Sequence, residues 1–235
     1  MIRQLLGQQP REFREDIGVF DQLVRAQHYG LPTRLLDVTH NPLVALYFAV
    51  SANKSKRASV IVFKPSIGKQ RYFDSDTVSL LSALSLLTKS EKDQIRKEIR
   101  SHYDKRSDKK SPLLSEAELV ELNKTIEIQK LIQFVRQEKP DFRPIVQPID
   151  LARPVFVHPR KHHDRIIAQN GSFVLFGLGK LRTDSQIRDI PSEEIHISED
   201  HKDIIAKGLA SVGITESSMF PEIEKAAGAI KRRYE

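Results

Sequence analysis

Apolar residues recur at steps of three and four through residues 10–29. Phe13, Ile17, Phe20, Leu23 and Val24 share one face there, and the spacing predicts an amphipathic helix. Gly30 and Pro32 end it, because glycine tolerates backbone angles other residues avoid and proline lacks the N–H a helix needs. Residues 33–39 read as a short extended or irregular passage. Asn41-Pro42 then marks a new start: an Asn side chain accepts from the free N–H groups of a first turn, and proline fits that turn. The helix it opens, 43–52, is apolar nearly all round, which predicts a central buried helix. Residues 59–63 read as a buried strand.

Two long helical passages follow, 76–102 and 115–138, the second opened by a capping box in which Ser115 and Glu118 satisfy each other's backbone N–H. The charged stretch 104–111 between them reads as a linker. Strand patterns return at 154–158, 172–176 and 194–197, with a short helix at 164–169 whose end suits Gly171. Two amphipathic helices, 199–211 and 221–233, close the sequence. The pattern predicts an α+β fold, a small mixed or antiparallel sheet core with several helices.

Composition narrows this picture. A length of 235 residues fits one large domain or two small ones. The absence of cysteine excludes disulfides, thiolate metal sites and a cysteine nucleophile, and fits a cytoplasmic protein. The longest apolar run, 43–50, is far shorter than the ~20 residues a membrane helix requires, so no membrane association is expected. The net charge is +7, and residues 89–110 hold nine Lys or Arg against five Asp or Glu. Such an excess is either a phosphate-binding surface for nucleic acid or the solvated face of long helices. Tyr103 is the one Phe, Tyr or Trp in that segment, short of the interleaved aromatics that a base-stacking platform requires.

The densest candidate chemistry lies in residues 27–41. Gln27, His28, Tyr29, Thr33, Arg34, Asp37, Thr39, His40 and Asn41 crowd a Gly-Pro turn beside an apolar helix. Polar groups in such a place need partners, since each one left unsatisfied costs about 1–3 kcal/mol. Two readings stand. In one, Arg34 and Asp37 pair and lock the turn while His28 bonds a carbonyl. In the other, the same groups line a pocket at a helix start, where Arg34 grips a phosphate and His28 or Tyr29 meets a base or sugar.

The run Ala26 to Ala49, AQHYGLPTRLLDVTHNPLVALYFA, resembles the signature segment of FRG domains, with Val38 where members often carry Trp. Two later stretches are also similar to that family: Arg165-Ile166-Ile167-Ala168-Gln169-Asn170-Gly171-Ser172-Phe173, and Gly213-Ile214-Thr215 followed by Met219-Phe220-Pro221-Glu222. The resemblance implies a single FRG-like domain over 1–235, with a helical insertion at about 76–138. One departure is plain. The family's Phe-Arg-Gly element belongs on an early strand, whereas here Phe13-Arg14 is followed by Glu15 inside a helical pattern. The domain is therefore expected to lack that strand, through truncation or true absence.

FRG domains occur in bacterial and phage proteins, often in settings of conflict or defence, and bear a looser similarity to ADP-ribosyltransferases. That likeness implies a toxin or defence effector with an NAD-binding pocket and ADP-ribosyl transfer. It assigns Asp37, Gln169 and His28 as catalytic residues, and Tyr29, Arg34, Thr39 and Asn41 as cofactor-binding residues, with no metal. Breaking the nicotinamide–ribose bond builds positive charge that a carboxylate stabilises. Asp37 supplies one and Gln169 does not, so the alternative for Gln169 is a helix-end amide bonding a backbone group. A second class of function is a non-catalytic module that binds nucleic acid or a partner protein through 89–110 and 158–165. The latter loop holds His158, Arg160, Lys161, His162, His163 and Arg165 and reads as phosphate-contacting or solvated. Pro65-Ser66-Ile67-Gly68-Lys69-Gln70 lacks the second glycine and the ending of a phosphate loop.

Overall fold

In the computed structural model the elements run, in chain order, α1 (Ile2–Gln8), α2 (Val19–His28), β1 (Leu35–Thr39), α3 (Pro42–Ser51), β2 (Ala58–Phe63) and β3 (Gln70–Tyr72). Next come α4 (Asp76–Ala83), α5 (Lys89–Asp104), α6 (Glu116–Asn123), α7 (Ile126–Glu138), α8 (Pro148–Ala152) and β4 (Val155–His158). They are followed by α9 (Asp164–Ala168), β5 (Gly171–Leu175), β6 (Ser192–Ile197), α10 (Lys202–Ser211) and α11 (Glu216–Met219). The structure describes residues 1–53, 55–104, 113–179 and 190–221, with Ala227 and Lys231. Most of the expected linker 104–111 and of the last helix, 221–233, lies outside the described residues. Helices outnumber strands and the strands form two small sheets, so the expected α+β class is borne out. No helix among the described residues is long and apolar enough to cross a membrane.

The chain divides into two units: Met1–Leu36, Gly68–Val157 and Val174–Ile187 form unit 1, and Asp37–Ile67, His158–Phe173 and Arg188–Glu235 form unit 2. The four-stranded sheet has the order β1-β5-β4-β3, and the chain of β1, β4 and β5 passes from one unit into the other. Phe176 N–H donates to the Arg34 carbonyl at one end of the β1–β5 pair, and His40 N–H donates to the Asn170 carbonyl at the other. Those two bonds make the pair antiparallel.

In unit 1 the helix expected over 10–29 forms only in its second half. Residues 10–15 are turns, and Ile17 is 70% exposed. The start is dictated from afar. Gly18 offers α2 no capping side chain, and the Glu138 carboxylate of α7 accepts the Val19 N–H at 2.7 Å instead. A Cβ on Gly18 would lie 2.7 Å from Glu138 Oε2, so the cap depends on the glycine. The other end stops as expected: Gly30 has φ +83°, Gly30 N–H donates to Gln27 O and Leu31 N–H to Ala26 O, a Schellman closure. Each long helical passage is broken in two, at Thr88 and at Thr125. Thr88 starts α5 by exchanging hydrogen bonds with Glu91, and the Ser115–Glu118 capping box forms as the sequence indicates. The buried helix of this unit is α4. Val78 through Leu84 are all buried, packed by α2, α7, α8 and β3.

In unit 2, α3 is not a fully buried helix. Only Val44 and Val50 are buried, while Leu43 is 42% and Phe48 38% exposed. The physical reason is that α3 has one packed side: Leu46, Tyr47, Ala49 and Val50 meet β2, β6 and α10 around Ile197 and Leu209. Likewise β2 is not a buried strand but half of an antiparallel ribbon with β6, with Ala58 opposite Ile197 and Val60 opposite Ile195. The left-handed residue after α9 is Asn170, at φ 45°, rather than Gly171.

Candidate functional site

The proposed site residues fall into both units: His28, Tyr29 and Arg34 in unit 1, and Asp37, Thr39, Asn41 and Gln169 in unit 2.

In unit 1, His28 and Tyr29 end α2 with their rings edge to face at 5.1 Å, and Tyr29 is exposed. Thr33 donates to Gln27 Oε1 across the Gly-Pro turn and accepts from Leu35 N–H at 3.1 Å, which fixes the entry to β1. Arg34 follows and is half-buried. Its Nη1 donates to the Phe176 carbonyl at 2.7 Å and to the Leu81 carbonyl at 3.4 Å, while its own carbonyl accepts from Phe176 N–H. Among the described residues its hydrogen-bond acceptors are thus carbonyl oxygens and not a carboxylate. Burial, and then the nearby Arg96 cation, push its pKa down to about 10.

In unit 2 the end of β1 meets the start of β5. Thr39 Oγ1 donates to the Gln169 carbonyl at 2.7 Å and accepts from Asn41 N–H at 3.0 Å. Asn41 Oδ1 in turn accepts from Leu43 N–H at 2.9 Å and caps α3, as its position before Pro42 predicts. Between them, His40 Nε2 lies 3.2 Å from Ser172 Oγ, and its ring stacks on His158 at 5.4 Å with the planes 9° apart. Burial, and then His40, hold the His158 pKa below its usual value. Asp37 is exposed. As it stands two residues before Thr39 on a strand, both side chains emerge on one face. The Gln169 amide donates to the Met219 carbonyl at 2.9 Å, tying α9 to α11. Phe220, just beyond, takes the Arg165 guanidinium at 4.9 Å from its ring centre and the Phe48 ring edge to face at 5.9 Å.

Sequence reasoning did not single out Ser172 or the stacking of His40 on His158. Ser172 sits in one of the two later stretches similar to the family, and its burial, at 4% exposure, gives no sequence signal. The loop 158–165 is not simply solvated: Lys161 is exposed, but His158, Arg160, His162, His163 and Arg165 are half-buried. His162 Nδ1 lies 3.2 Å from the Arg160 carbonyl, and its ring centre is 3.9 Å from that of His163.

Comparison with known proteins gives one family. Residues 3–58 match the family model described as the FRG domain. That span covers α1, α2, β1 and α3 and ends at the first residue of β2, so the resemblance carried by the signature run is borne out. The stretches at 165–173 and 213–222 lie beyond it. No curated protein and no solved structure matches the chain.

Proposed function

We propose that this FRG-domain chain is a conflict or defence effector that binds NAD or a related nucleotide in unit 2 and transfers its ADP-ribose. The observation that carries this reading is the meeting of residues 39–41 with 169–172, joined by Thr39 to the Gln169 carbonyl and by His40 to Ser172. Two stretches far apart in sequence thereby bring hydroxyl, imidazole and amide groups to the start of α3, beside an exposed carboxylate. Transfer breaks the bond between the ribose C1′ and the nicotinamide nitrogen, with the electron pair leaving on nicotinamide. Asp37 stabilises the positive charge on the ribose, and the acceptor's lone pair closes the new bond as its proton passes to a base. Gln169, whose amide is already given to Met219, orients this region rather than reacting. The exposed edge of Phe48 offers a surface for a base.

The test is calorimetric titration of the full chain with NAD, paired with chromatographic measurement of nicotinamide release. Wild type is expected to bind and release. Asp37→Asn is expected to bind but to lose release about 100-fold or more, the scale on which catalytic electrostatic groups act. Absence of NAD binding overturns the reading. A non-catalytic nucleic-acid-binding role has its own support, since Lys89, Lys97 and Arg100 are exposed along α5. Salt-dependent oligonucleotide binding without NAD binding would favour it.

A further inference from the structure

We propose that unit 1 holds a phosphate-binding site built from Arg34, Lys92 and Arg96, independent of the nucleotide site assigned to unit 2. Its geometry begins at the turn after β5. Arg34 Nη1 donates to the carbonyl of Phe176, and Arg96 Nε donates to the carbonyl of Leu178 at 2.8 Å, so two guanidinium groups are anchored two residues apart on one backbone segment. Lys92 stands four residues before Arg96 on α5, on the same helical face. The segment that carries them is held closely against the end of α8. Leu178 N–H donates to the Leu151 carbonyl, and a Cβ on Gly177 would lie 2.0 Å from that same oxygen.

The charge around this point is unbalanced. Asp93 is given to Arg96 Nη1 at 2.6 Å, and Glu91 is given to Lys130 and to Thr88 N–H. The Lys92 ammonium makes no hydrogen bond or ion pair with a described residue, and Arg34 meets no carboxylate among them. Among the described residues, three cations with one paired carboxylate leave about two positive charges. That matches the dianionic form of a phosphate group, and three of the five Arg34 N–H donors remain for it. Mutual repulsion shows in the titration of the cluster: burial, then Arg34, then Arg96, lower the Lys92 pKa. Asp93 and Glu91 offset part of that repulsion, and a bound oxyanion would remove the rest.

The experiment uses the full chain and follows thermal unfolding with inorganic pyrophosphate, with chloride at matched ionic strength as the reference. Pyrophosphate is expected to raise Tm of wild type well beyond chloride. Lys92→Met is expected to raise Tm without any anion, because it relieves repulsion, and to abolish most of the pyrophosphate shift. A merely structural lysine would not give that pair of opposite effects. Arg96→Lys keeps the charge but loses the bond to Leu178, and is expected to weaken the shift several-fold. Comparing pyrophosphate with ADP distinguishes the sources: equal shifts mark the anion alone as the ligand, and a larger ADP shift that also falls in Lys92→Met marks a nucleotide. No shift beyond chloride, or an undiminished shift in Lys92→Met, overturns the proposal. NAD binding lost in Asp37→Asn or absent in wild type bears only on unit 2.

Discussion

Replacing Gly177 by alanine tests whether the turn after β5 is as tightly held as its geometry implies. The new Cβ would fall 2.0 Å from the Leu151 carbonyl oxygen, 2.8 Å from its carbon and 3.1 Å from the Ala152 carbonyl carbon. A carbon and an oxygen need about 3.3 Å, so two backbone segments must part by roughly 1 Å. No rotamer change relieves this, because every atom in the way is main chain. The bond from Leu178 N–H to Leu151 O is then lost, leaving a donor and an acceptor unsatisfied at about 1–3 kcal/mol, and overpacking adds about 1–3 kcal/mol more. The expected loss is about 2–6 kcal/mol of unit 1 stability, read from urea unfolding followed by circular dichroism. Gly208 in α10 of unit 2 is the control. A Cβ there meets nothing within 4 Å, so Gly208→Ala is expected to stabilise by about 0.5–1 kcal/mol. Gly177→Ala is also expected to lose the pyrophosphate-induced rise in Tm, since it displaces the carbonyls that hold Arg34 and Arg96. A loss below about 1 kcal/mol in Gly177→Ala, with the anion effect intact, would refute the reasoning.

Two further outcomes follow from single side chains. Ser82 is fully buried in α4 and its Oγ has no hydrogen-bond partner, so Ser82→Ala is expected to raise stability by about 1 kcal/mol in a thermal scan; a lower Tm would contradict this. His158 is held below its ordinary value of 6.5, so folding favours its neutral ring; the stabilisation is full above pH 6.5 and is lost as pH falls through the lower folded value. His158→Gln is therefore expected to flatten the acid side of the stability–pH curve, and parallel curves for the two proteins would refute it.

Local chemistry proved easier to read from the sequence than burial. Asn41-Pro42, Gly30 and Ser115–Glu118 mark their boundaries correctly because capping acts over three or four residues, within reach of a sequence pattern. The start of α2 was not legible, because its cap comes from Glu138 on another helix. The same holds for α1, which lacks a capping side chain. Apolar runs misled in the other direction. The nearly uniform α3 and the β2 run look like core, yet each packs on one side, whereas the serine-containing α4 is buried from Val78 to its end. Periodicity reports how many faces are apolar and not which face finds a partner.

The candidate site divides along the same line. Thr39, Asn41 and Arg34 belong to a continuous signature that a reader of the sequence meets at once, but their partners do not. Ser172 and the Gln169 carbonyl complete the polar cluster of unit 2, and Lys92 and Arg96 complete the cationic cluster of unit 1. All four lie beyond the matched residues 3–58. The matched span therefore supplies one half of each cluster, and the rest of the chain supplies the partners: neutral ones in unit 2, cations in unit 1. Arg34 would keep its hold on the Phe176 carbonyl whatever α5 carried, because that bond depends only on β1 and the end of β5. Whether an anion is held there depends on Lys92 and Arg96 as well, so α5 supplies two of the three cations of the proposed site and the signature run the third.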